Sequence, residues 1–92
     1  DNMGVGALNA ARSAGRVGEI AFIGATNFAV GYEAIERGEY YGSIYQSPVD
    51  DAEAALQTAL DVLEGKEVPK MNFFETPKIT ASNLSEFDKP VF

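Results

Sequence analysis

Apolar positions along this chain switch between helical and strand spacing. Met3, Ala7, Ala10, Ala11 and Ala14 fall on one stripe at helical spacing, behind Asp1-Asn2 as a cap and ahead of Gly15 as a left-handed stop. The pattern predicts a helix to about residue 14 whose alanine-rich face sits close against a sheet. Glu19–Gly24, EIAFIG, is a short apolar run, and such a run after a helix predicts a parallel strand buried on both faces. The polar pair Thr26-Asn27 then opens a second helix, about Phe28 to Arg37, with Asn27 as cap, Ala34 and Ile35 inward and Gly38 at its end. Tyr40–Gln46 reads as the next strand, with Tyr41 and Tyr45 on one face and Gly42, Ile44 and Gln46 on the other. Strand, helix and strand in this order make a βαβ unit with a right-handed crossover.

Pro48 breaks that strand, and Asp50-Asp51 cap the strongest helical pattern in the chain. Ala52, Ala55, Leu56, Ala59, Leu60 and Leu63 repeat at i, i+3, i+4 and i+7 up to Gly65. Lys66–Lys70 is a polar connector, Met71–Glu75 and Lys78–Thr80 are short extended pieces, and Ser82–Phe87 forms a last turn of helix before the tail at 88–92. Two firm strands cannot cover three apolar helix faces, and parallel sheets are normally covered on both sides. The expected fold class is therefore α/β with incomplete sheets, a fragment of a larger protein that supplies the rest.

Composition narrows the chemistry. A net charge of −7 with seven scattered basic residues argues against nucleic acid, which requires clustered Lys and Arg. No cysteine and no histidine are present, which removes disulfides, thiol catalysis, most zinc sites and Ser-His-Asp chemistry together. No apolar run approaches the roughly 20 residues of a membrane span. No catalytic machinery, metal or cofactor is expected.

Several motifs in the chain have simpler readings than the functional ones they suggest. Gly4-Val5-Gly6 lacks the third glycine of a nucleotide loop, since Asn9 stands there, and reads as small residues packing within a helix. Ile23–Asn27, IGATN, has no properly spaced following glycine and reads as a strand-to-helix turn. The carboxylate pairs Glu33/Glu36, Asp50/Asp51 and Glu64/Glu67 sit on solvated helix faces or caps, without the burial that acid–base pairs need. Asn83-Leu84-Ser85 has the form of a glycosylation sequon and is set aside. Tyr40, Tyr41 and Tyr45 read as core or interface residues, with Tyr45 also able to line a cleft against a sugar's apolar face. Gln46 is the sharpest candidate. Its amide offers one acceptor and two donors to adjacent hydroxyls, at a sheet end of the kind where open α/β folds bind ligands; the alternative is a surface glutamine.

The stretch from Gly24 to Pro48 resembles the type I periplasmic sugar-binding proteins of ABC transporters, the ribose-binding-protein-like group. DNMGVGALNAARSAG is similar to that family's N-D-x-M/A-x-G-A segment, and IAFIGATN to its V-G-F-D-G strand and loop. AIERGEYYGSIYQSP resembles its A-hydrophobic-x-x-G-x-hydrophobic-x-hydrophobic-x-Q-x-P run, LEGKEVP its L-x-G-x-x-V segment, and TPKITASNLSEF its closing P-hydrophobic-V-T-x-x-N segment. The resemblance implies a two-lobed periplasmic-binding-protein type I fold with parallel sheets flanked by helices. Residues 1–46 would then form part of the C-terminal lobe, 47–74 would pack on the N-terminal lobe, and 75–92 would be the hinge return and tail. It also implies Gln46 as a hinge-side ligand contact. Thr26 falls where the family commonly has an Asp, a change that loses charge-assisted bonds about twice as strong as neutral ones; Asn27 is placed to compensate. A third family contact, an Asn, would directly precede Asp1.

The implied function is the solute-binding component of a bacterial ABC importer, periplasmic and not an enzyme, closing on a monosaccharide or polyol. Its partners would be the permease and the N-terminal part of the same protein. The alternatives are the effector domain of a LacI-like transcription regulator, which shares the fold, and a dinucleotide-dependent enzyme.

Overall fold

Three left-handed glycines punctuate the chain. Gly15, Gly38 and Gly65, with φ of 70, 73 and 77°, follow helices α1 (Asn2–Ser13), α2 (Ala29–Glu36) and α3 (Pro48–Leu63). Each sits where a Cβ would strain the backbone, so the helix stops expected from the sequence are met. The computed structural model describes the whole chain, Asp1 to Phe92.

The two expected strands are shorter than their apolar runs. Val17–Glu19 forms a 3-10 turn, so residues beyond it alone extend alongside the next strand. Ile23 pairs in parallel with Gly42, and Thr26 with Tyr45. The Tyr41 amide donates to the Phe22 carbonyl at 2.8 Å and the Gly24 amide to the Gly42 carbonyl at 3.0 Å. The crossover through α2 is thus parallel, as predicted. The predicted strand 40–46 contracts to β1 (Gly42–Ile44). On its other side β1 pairs antiparallel with β2 (Lys78–Thr80), in the register Gly42↔Thr80, Ser43↔Ile79, Ile44↔Lys78. The continuous ladder is antiparallel where parallel sheets were expected, because the chain comes back beside β1 running the opposite way. An antiparallel edge on a parallel sheet is a common arrangement.

The core lies where α1 and α2 meet these segments: Leu8, Ala11, Phe22, Ala34, Ile35, Tyr40 and Ile79. Leu8, Ile35 and Ile79 are almost wholly enclosed, each contributing about 1.5–3 kcal/mol by burial. The face of α1 differs from the predicted stripe. Leu8 and Ala11 are buried, whereas Met3, Ala7, Ala10 and Ala14 are exposed. Turning the helix this way buries the leucine rather than a row of methyls, a larger gain per residue. Gly4 then faces Tyr40, whose hydroxyl leaves no room for a Cβ at that position.

Capping also departs from expectation in an instructive way. The cap of α3 is Ser47, whose hydroxyl accepts from the Asp50 amide at 3.2 Å, and Pro48 opens the first turn, where its missing N–H costs nothing. Asp50 and Asp51 sit inside that turn, where their charge favours the helix dipole. None of the residues of α3 is buried, and Leu56, Leu60 and Leu63 remain exposed. The molecule measures 58 × 23 × 19 Å with a radius of gyration of 16.9 Å, against about 12 Å for a compact chain of this length. The extra length reflects a helix that stands away from the core formed by the rest.

Candidate functional site

Three chain segments end at one edge of the sheet. The first is the loop at 25–27, which follows the parallel-bridged segment. The second is the exit of β1 at Tyr45-Gln46, and the third is the return at Pro77, whose carbonyl accepts from the Tyr45 amide at 2.8 Å. Pairing of Thr26 with Tyr45 sets the predicted candidates Thr26 and Gln46 on adjoining segments.

Their environments differ. Gln46 is exposed and Thr26 is half-buried, its hydroxyl donating to the Ala25 carbonyl. Asn27 is fully enclosed, and neither its amide nitrogen nor its amide oxygen has a partner. It caps no helix: α2 is entered through Phe28, with no side-chain cap. Both loop residues lie in left-handed backbone, with φ of 78° at Thr26 and 50° at Asn27. Asparagine tolerates this conformation, but a β-branched threonine does not, and the strain is on the order of 1–3 kcal/mol. Something must therefore hold the loop.

Asp1 is hydrogen-bonded on both sides of that loop. It was expected to cap α1, yet its side chain makes no capping bond there. One carboxylate oxygen accepts from the Phe28 amide at 2.7 Å and the other from the Ser43 hydroxyl at 3.0 Å. Its backbone nitrogen donates to the Ala25 carbonyl at 3.1 Å. A Cβ at Gly24 or Gly31 would collide with this carboxylate, so both glycines make its space. The sequence signal is an acidic residue ahead of a helix, but its partners lie 27 and 42 residues away. Nothing local in the sequence identifies them.

Around this edge the aromatic residues are structural. Tyr40 stacks on Phe22 with ring centres 6.5 Å apart, and Tyr45 packs on Phe87 at 5.4 Å. Burial raises the Tyr40 hydroxyl above its ordinary value. Tyr41 is exposed. Asn83, set aside as a sequon, fastens the turn after β2: its amide oxygen accepts from the Thr80 amide at 2.8 Å and its nitrogen donates to the Lys78 carbonyl at 2.9 Å.

The cations belong to the surface. Arg12 and Arg37 converge on Glu39 and hold its carboxyl below the usual range, Arg12 through the stronger hydrogen bond. Lys89 does the same for Glu33, and Arg16 and Lys66 pair with neighbouring carboxylates. The edge itself carries the Thr26 hydroxyl and the exposed Gln46 amide, with the Asp1 carboxylate already engaged.

Comparison with known proteins places this geometry. The chain is 31% identical over 84 residues to a xylitol-binding protein of Mycolicibacterium smegmatis, an alignment spanning 91% of this chain and 24% of that protein. Its fold superposes with a TM-score of 0.86 on an ABC transporter periplasmic solute-binding protein of Actinobacillus succinogenes, solved with bound D-allose. That match has 23% identity and covers 95% of this chain and 30% of the other. The chain thus spans under a third of either protein's length. A family model described as a periplasmic binding protein domain matches residues 1–67, most of the sequence. That match contains the parallel crossover, the strained loop and Gln46, and the chain belongs to the periplasmic binding protein family.

Proposed function

We propose that this chain forms one wall of a sugar- or polyol-binding cleft in a solute-binding protein of an ABC importer. The observation that carries the reading is the pairing of Thr26 with Tyr45, which brings the loop carrying Thr26 and the segment carrying Gln46 to the same sheet end. The neutral donors and acceptors these residues carry suit the hydroxyls of an uncharged ligand. The xylitol-binding relative and the allose-bound structure support the same ligand class. Asn27 is the third candidate: its amide is enclosed and without a partner, and a buried polar group in that state calls for one.

In this reading residues 1–46 lie in the C-terminal lobe. The chain crosses at Gln46-Ser47 and returns at Glu75-Thr76 beside it, which is supported by the Tyr45–Pro77 hydrogen bond. The exposed Leu56, Leu60 and Leu63 of α3 pack on the N-terminal lobe. Ligand stabilises the closed arrangement of the lobes, which then engages a permease from the periplasmic or extracellular side. The protein carries its ligand without transforming it.

Calorimetry on the complete protein with a panel including xylitol, D-allose and ribose tests this. One member should bind, and Gln46→Ala should weaken it roughly tenfold or more, as expected for losing about 1.4 kcal/mol of hydrogen bonding. A panel without any binder, or an unchanged affinity in Gln46→Ala, overturns the reading.

A further inference from the structure

We propose that Asp1 is a positioning residue for the ligand site, acting as the clamp that keeps the 25–27 loop in its left-handed form. The inference rests on the function proposed above. Three segments meet at its carboxylate: the start of α1, the entrance to α2 directly after Asn27, and β1 three residues before Gln46. The Phe28 amide is the group that must stay in place if Thr26 and Asn27 are to remain at φ of 78 and 50°. A backbone relaxing toward ordinary φ would swing that amide away from the carboxylate.

The other end of the loop is already fixed, since the Gly24 amide donates to the Gly42 carbonyl at 3.0 Å. Asp1 and this bond therefore bracket the strained residues. Ser43 is only 2% exposed, and its hydroxyl reaches the carboxylate at 3.0 Å, so the clamp is anchored in the sheet rather than in another loop. Gly24 and Gly31 leave open the one volume the carboxylate fills, which a side chain at either position would close. Two separate helices and a strand have thus been shaped around a single acidic side chain. Its effect on ligand is indirect. It raises the fraction of molecules whose loop is ready to bind, and apparent affinity scales with that fraction.

The test uses Asp1→Ala in the complete protein, because it removes the acceptors of both the Phe28 amide and the Ser43 hydroxyl, whereas an asparagine would keep the Phe28 bond through its oxygen and donate its nitrogen to Ser43. Ser43→Ala, which keeps the Phe28 bond, serves as the milder variant if Asp1→Ala fails to fold. Two quantities are read: hydrogen exchange of the Phe28 amide without ligand, and affinity for xylitol and D-allose well below the melting temperature. Asp1→Ala should speed exchange and weaken binding, each by roughly ten- to a hundredfold, the size of a lost hydrogen bond to a charged group. Ser43→Ala should move both in the same direction by less. A purely structural role would lower the melting temperature and leave affinity untouched, and that result overturns the proposal. Unaltered Phe28 exchange in Asp1→Ala overturns it as well. Wild-type protein that binds neither probe counts against the function proposed above, and the exchange rate then decides the clamp by itself.

Discussion

Tyr40→Phe should make the protein more stable, although it removes a polar group from a fully packed site. Tyr40 is 2% exposed, stacks on Phe22, and its hydroxyl has no hydrogen-bond partner. A buried hydroxyl without a partner costs about 1–3 kcal/mol relative to one left in water. Removing it leaves a void the size of one oxygen, about 10 Å³, which costs only ~0.2 kcal/mol at the usual cavity rate. The ring and its stacking are retained, so the net gain is about 1–2 kcal/mol.

Alkaline pH sharpens the test. Burial raises the Tyr40 hydroxyl above its ordinary 10.0. Because the folded value is raised, the wild-type contribution is intact below pH 10 and is lost as pH climbs through the folded value. Phenylalanine has nothing to ionise there. Urea unfolding of the ligand-free protein at pH 7 and above pH 10 should show the variant ahead at neutral pH and further ahead at alkaline pH. A variant less stable than wild type at pH 7, or a gap that narrows on raising pH, would show that the hydroxyl has a partner.

Two further outcomes follow from the turn and the tail. Asn83→Ala removes both bonds that fasten the turn after β2, and urea unfolding should show a loss of about 1–3 kcal/mol; a loss below 0.5 kcal/mol would refute that role. The Glu33 carboxyl should titrate below 4.5 by NMR, because Lys89 hydrogen-bonds it. Its lowered folded value means the tail contact is present above the ordinary carboxylate range and lost as pH falls through the folded value. Lys89→Ala should return the midpoint toward 4.5, and an unmoved midpoint would remove Lys89 as the cause.

What the sequence revealed was local. The three glycine stops, the inward Ala34 and Ile35, and the neighbouring positions of Thr26 and Gln46 all follow from spacing and backbone preference. The residues the pattern misplaces were misplaced for physical reasons. Met3 and Ala7 looked buried because periodicity reports a stripe but not how far the helix rotates to bury a leucine instead. Asp50-Asp51 looked like a cap because acidic residues favour the first turn as well as the cap position, and only the Ser47 bond separates the two.

Asp1 carries the same lesson to the site. Read along the chain, it is an acceptor ahead of a helix, and its expected partners are the first free amides of α1. In the folded protein, a different helix entrance competes for it and wins, because Phe28 and Ser43 present two donors where α1 would present its own amides alone. The bargain is struck between residues 27 and 42 positions apart, so no window of sequence contains it. It leaves a trace only in what the neighbours lack: Gly24 and Gly31 have no side chains where the carboxylate lies. Glycines that look like turn or packing residues are here the negative image of an acidic group. That group borders a strained loop, so the conformation of Thr26 and Asn27 follows long-range hydrogen bonding more than their own preferences.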